Sequence, residues 1–210
     1  MDGEKSVQSD DGTRCAFFYG TLMAPEVFYR VCYNSSDIPD AIKSLHKFIP
    51  AVLHGYSRHK ISHADYPGMR ENPEGQVRGI LATGLTRANV EHLDWFEGSQ
   101  YERRTVQVKV LVEAGDLKTG EGNVEGEEKE AEAYVFLDGK SLKEEEWDYA
   151  EFRKEKLRYW SRGGHEWPDV DVDDAVDEDD AVDDAVDDAV DDAVDDAVDD
   201  AVEEAKGAAV

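Results

Sequence analysis

The chain has 210 residues and a formal charge of −27, from 50 acidic against 23 basic side chains. About 20 of the acids lie between Asp169 and Glu204 with no base among them, so the remainder is only mildly acidic and has ordinary globular composition. No basic face is available to neutralise phosphate, which argues against nucleic acid or an anionic membrane as partner, and no run of about 18 apolar residues suggests a membrane helix.

Met1 to Arg14 is polar and lacks an apolar stretch, so residues 1–14 read as a flexible leader without a targeting signal, and a cytoplasmic location is expected. Cys15-Ala16-Phe17-Phe18-Tyr19 is a short apolar run closed by Gly20, the pattern of a buried strand entering a tight loop. Pro25 suits the first turn of a helix, with Val27, Phe28 and Val31 at helical spacing. Phe48 to Ser62 is rich in strand formers, with Gly55 as a bend or bulge. Tyr66-Pro67-Gly68 reads as a turn, and Val77 to Thr83 as a further strand.

Thr86 is placed to cap a helix reaching Phe96, with Val90, Leu93 and Phe96 on one face. Val106, Val108, Val110 and Val112 alternate with other side chains, the clearest strand in the chain. Gly115 to Glu130, full of Gly, Glu and Lys, reads as an exposed loop, and Ala131 to Leu137 as the returning strand of a hairpin. Lys143 to Trp160 reads as one helix burying Trp147, Ala150, Phe152 and Leu157, stopped by Gly163-Gly164. Helices are interspersed without alternating regularly with strands, so an α+β domain over residues 15–165, its mixed sheet curled into a small barrel, is favoured over a doubly wound parallel sheet.

Residues 166–210 form a tail dominated by Asp-Asp-Ala-Val repeats. A period of four advances about 400° around a helix, so the valines build no lasting stripe, and like-charge repulsion opposes any compact form. A disordered acidic tail follows, able to engage a basic protein partner or serving no binding role at all.

Cys15 and Cys32 make no disulfide framework and read as free thiols in apolar surroundings. His59 and His63 stand four apart in a run that reads as strand and turn, so no metal site is expected there. Two segments hold chemistry. After Tyr19, Gly20 lets consecutive backbone N–H groups approach an anion. Glu97 follows the aromatic pair Trp95-Phe96 and precedes Gly98, where partial desolvation raises a carboxylate toward the pKa of a useful general base.

Together, Tyr19-Gly20-Thr21-Leu22, Tyr66-Pro67-Gly68, Val77-x-Gly79 and Leu93-Asp94-x-x-Glu97-Gly98-x-x-Tyr101-x-Arg103 resemble the gamma-glutamylcyclotransferase superfamily. The match is best with its plant and fungal branch named after avirulence-induced genes, and it spans roughly Ala16 to Leu137. The resemblance implies a small barrel flanked by helices and a cofactor-free reaction in which the α-amino group of a small γ-glutamyl compound attacks its own γ-carbonyl. The products are 5-oxoproline and an amine. By the same resemblance Glu97 is the acid–base residue, and the backbone of Tyr19, Gly20, Thr21 and Leu22 cradles the substrate. Tyr101 either holds or covers the carboxylate or is a core aromatic with a wet hydroxyl; Arg103 is expected to pair with an acid. The alternatives are a non-catalytic barrel that binds a small ligand or a protein, and a hydrolase or transferase acting on another amide.

Overall fold

The computed structural model describes residues 12–35 and 37–161. The tail expected over 166–210, the Gly163-Gly164 stop and most of the leader lie outside them. Within the described part of the leader, Arg14 already belongs to a strand: it opens β1 (Arg14–Phe18), faces Leu85 and pairs with Glu132 at 3.5 Å.

After β1, a 3-10 turn (Thr21–Met23) leads to α1 (Pro25–Tyr33) and a short α2 (Asp40–Lys43). Two long strands follow, β2 (Lys47–Lys60) and β3 (Pro67–Leu85), then α3 (Arg87–Glu97). The chain continues through β4 (Tyr101–Glu113) and β5 (Val124–Phe136) to α4 (Tyr149–Glu155) and α5 (Leu157–Ser161). The strands close into a barrel in the order β1-β3-β2-β4-β5. Closure needs one parallel contact, Ala16 opposite Glu132 between β1 and β5; the other pairings are antiparallel. The fold is α+β, a mixed barrel with helices packed outside.

Period-two alternation explains the two cores. In β1, Phe17 joins a cluster drawn from all five strands and no helix, with Leu53, Met69, Leu81, Val108 and Ala133, which fills the barrel. Its neighbour Phe18 points the other way, joining Phe28, Leu93, Tyr134, Phe152 and Trp160 beneath the helices. The β2–β3 hairpin is broken in register only between His54 and Tyr56, where Gly55 adopts φ +82°, so the glycine is a bulge. Thr86 caps α3 as its position predicts: its hydroxyl accepts from Asn89 N at 3.2 Å, while Asn89 Oδ1 accepts from Thr86 N at 2.9 Å. Such a cap contributes about 1 kcal/mol. Cys32 is buried and its thiol is pushed up to about 12 by that burial, whereas Cys15 is only half-buried.

Three expectations are corrected. Tyr66-Pro67-Gly68 is not a turn, because Pro67 starts β3 opposite Lys60, an opening position that tolerates a missing N–H. The charged segment from Gly115 to Glu130 is loop only as far as Asn123. From Val124 it pairs with β4, and its charges occupy the solvent face, as in Lys109–Glu128 at 3.2 Å. The helix expected over Lys143–Trp160 begins only at Tyr149, since Lys60 takes the preceding backbone through Lys143 N→Lys60 O at 2.8 Å and Lys60 N→Glu145 O at 2.9 Å. Asp148 then supplies the cap, accepting from Ala150 N and Glu151 N, and Lys156 separates the two short helices. Among the described residues no helix is long and apolar enough to cross a membrane.

Candidate active site

Beyond β1 the chain is locked to the barrel. The Tyr19 ring lies in the interior cluster and its hydroxyl donates to Tyr134 O at 2.7 Å, while the buried Arg58 donates to Tyr19 O at 3.0 Å. A Cβ on Gly20 would lie 2.8 Å and 2.9 Å from Pro67 Cγ and Cδ, so the close passage of these two segments requires glycine. The first bond of the following turn is Met23 N→Gly20 O at 3.0 Å. The N–H groups of Thr21 and Leu22 therefore precede the first bond within that turn.

The second segment is the end of α3. Gly98, at φ +61°, stops the helix while its N–H bonds Asp94 O, and the chain turns through Gly98–Gln100 into β4. Tyr101, the first residue of β4, donates its hydroxyl to Pro67 O at 2.9 Å. Pro67 is thus the point where both segments meet: it touches Gly20 on one side and accepts from Tyr101 on the other.

Between them lies a cavity of about 420 Å³. All six residues singled out in the sequence line it: Tyr19, Gly20, Thr21, Leu22, Glu97 and Tyr101. Glu97 is half-buried by surface area because the cavity opens onto it, yet protein surrounds its carboxyl as densely as an interior group. That desolvation, with a smaller contribution from the negative charge of Asp94, pushes its pKa up to about 8. The Tyr101 hydroxyl donates to the backbone at Pro67 O, and burial, then Tyr19 and Glu97, raise its pKa.

Asp94 is itself held. It accepts from Tyr134 Oη at 2.8 Å and lies 2.9 Å from Arg103 Nε, while Arg103 also pairs with Glu132. Arg103 therefore takes the structural ion pairs expected of it. These contacts keep the last turn of α3, and with it Glu97, against the barrel.

Sequence reasoning missed several wall residues. From sequence, Tyr66 is only part of a motif, and Trp95 and Phe96 are only neighbours that desolvate Glu97; all three line the cavity. Tyr134 and Trp160 do so too. For Tyr134 the signal was available in retrospect, since it faces outward in a strand whose Ala131, Ala133 and Val135 face in. Trp160 comes from a five-residue helix far along the chain and gave no local signal.

The family model described as "Gamma-glutamyl cyclotransferase, AIG2-like" matches residues 16–153. Protein AIG2 C of Arabidopsis thaliana is 30% identical over 146 residues, covering 69% of this chain and 75% of that protein. Protein AIG2 B of the same plant is 30% identical over 153 residues, 72% and 74% of the two chains. A solution structure from Arabidopsis thaliana aligns at a TM-score of 0.47 and 30% identity, over 71% of this chain and 78% of that one. With the matched stretch running from within β1 into α4 and including both walls that meet at Pro67, the chain belongs to the gamma-glutamyl cyclotransferase, AIG2-like family.

Proposed function

We propose that this protein cyclises a γ-glutamyl amine, or a closely related γ-glutamyl compound, to 5-oxoproline with release of the amine. The observation that carries the reading is the position of Glu97. A single carboxyl lies in a largely aromatic cavity, poised near 8, and faces the loop containing the Thr21 and Leu22 amides. Membership of the cyclotransferase family supports the reaction class.

The reaction asks for little more. The nucleophile and the electrophile belong to one substrate molecule, so the entropy of bringing them together is largely paid in advance. Ionised Glu97 takes a proton from the substrate α-ammonium, and the freed amine nitrogen attacks the γ-carbonyl carbon, forming the C–N bond of the ring. The carbonyl oxygen becomes an oxyanion, stabilised by backbone N–H groups of the Tyr19–Leu22 loop. As the C–N bond to the leaving group breaks, neutral Glu97 returns the proton to the departing nitrogen, and the carboxylate so restored takes the second proton from the ring nitrogen, leaving a neutral lactam and passing that proton to the released amine. Carboxylate and carboxylic acid are both accessible near neutrality at a pKa near 8, which suits one group to both transfers.

The test is to incubate the protein and its Glu97→Gln variant with γ-glutamyl amines, γ-glutamyl amino acids and glutathione, measuring 5-oxoproline. Product from the wild type and a loss of about 1,000-fold or more in a folded variant support the reading. Free glutamate in place of 5-oxoproline would show water as the nucleophile, and no product from any compound would leave a binding barrel.

A further inference from the structure

The cavity has two unlike walls. One is polar in function: the Tyr19–Leu22 loop, with Glu97 at the end of α3. The other is aromatic and is built by α3, α5 and the residue before β3. Trp160 meets Tyr66 edge-to-face at 6.2 Å and Phe96 at 6.3 Å. Buried Arg30 of α1 fixes its backbone, donating to Trp160 O at 2.7 Å. At the rim, Trp95 is 77% exposed, more than any other large apolar side chain among the described residues. An indole left in water beside a cavity is area that a ligand can cover.

Charge is equally uneven. Among the described residues the cavity lining contains no lysine or arginine, and Glu97 is its sole acid. Among the described residues, Arg103 is committed to Asp94 and Glu132, and Arg58 to Glu146 and the Tyr19 carbonyl. A substrate carboxylate on the aromatic side would lose water without meeting a cation in the described lining, beside an acid that already resists ionisation.

Resting on the cyclotransferase reading, the structure assigns the wall of Trp95, Phe96, Trp160 and Tyr66 as the leaving-amine subsite, taking an aromatic or bulky apolar amine that carries no carboxylate. The γ-glutamyl half, common to every substrate, lies along the Tyr19–Leu22 loop with its α-amine toward Glu97. The half that leaves stacks on the indole and phenyl rings. Trp95 is the specificity residue: it covers the leaving group and touches no reacting atom.

Three compounds separate the claims. γ-Glutamylphenethylamine and γ-glutamylphenylalanine differ only by a carboxylate on the leaving side, and γ-glutamylethylamine lacks the ring. The wild type is expected to favour the phenethylamine compound over each of the others by about tenfold or more in kcat/KM. Trp95→Ala should bring kcat/KM for the phenethylamine compound down toward that of the ethylamine one, so that the ratio between the two falls toward one. Binding of the three compounds to Glu97→Gln, measured by calorimetry, should follow the same order in Kd. Equal kcat/KM for all three, or an aromatic preference that survives Trp95→Ala, overturns the subsite with the cyclotransferase intact. No turnover of any compound overturns the reaction itself, and equal Kd values in that case remove the subsite as well.

Discussion

Exchanging Glu97 for Gln keeps the size of the side chain and removes its charge, which tests the desolvation argument independently of any substrate. In the unfolded chain a glutamate titrates near 4.5; in the folded protein burial, and then Asp94, push Glu97 up to about 8. Between those values the native state binds a proton that the unfolded state has lost. Stability therefore falls as pH rises through the window and stops falling above it. Each pH unit removes at most ~1.4 kcal/mol, which caps the loss near ~5 kcal/mol over the whole window. The cavity is open to water, which rehydrates part of the carboxylate, and halving the cap leaves about 2 kcal/mol. Glutamine pays none of this. Urea unfolding followed by circular dichroism should give nearly equal midpoints for the two proteins at about pH 4.5. At about pH 8.5 the variant midpoint should be higher by roughly 1 M, for a slope of about 2 kcal/mol/M. The variant would be the more stable protein on the alkaline side only. A midpoint difference that is constant across pH, or that grows toward acid, would refute the reasoning.

Two further outcomes follow from the same geometry. Gly20→Ala places a methyl group 2.8 Å from the Pro67 ring, so either the loop or the start of β3 must shift; we expect a cost of about 1–3 kcal/mol in urea unfolding and a clear fall in 5-oxoproline formation, with the circular dichroism spectrum retained. Asp94→Asn removes a negative neighbour of Glu97 while Arg103 keeps Glu132, so the alkaline-going rise of the kcat/KM profile should move to lower pH; a profile that stays in place would show that burial alone sets the Glu97 pKa.

The parts of the site that were legible are those where one residue type has one physical use. Gly20 and Gly98 marked the ends of an apolar strand and of a helix, and Glu97 stood out as a carboxyl among aromatics. Thr86 announced α3 because its side chain and Asn89 satisfy each other locally. What stayed hidden depends on partners remote in sequence. Pro67 looked like turn chemistry because its pairing to Lys60 cannot be seen from Tyr66-Pro67-Gly68 alone. Val124 to Glu130 looked like loop because its acids mask a ladder whose other half is β4. Barrel closure rests on a single parallel match between β1 and β5, with 115 residues between Ala16 and Glu132, and no local pattern encodes it. The aromatic wall has the same origin: Trp160 is held by residues remote in sequence, with Arg30 of α1 donating to its carbonyl and its ring meeting Tyr66 and Phe96.

That late contribution orders the assembly of the protein in time. By the time Phe136 has left the ribosome, every strand of the barrel, both segments that meet at Pro67, and Glu97 already exist. Trp160 is synthesised 24 residues later and completes the enclosure from outside the sheet. A chain interrupted in that interval would have Glu97 but not the indole that lines the same cavity, so its carboxyl is expected to be wetter and its pKa closer to that of free glutamate. The enclosure around Glu97 is thus completed by one of the last described residues rather than by its neighbours in sequence.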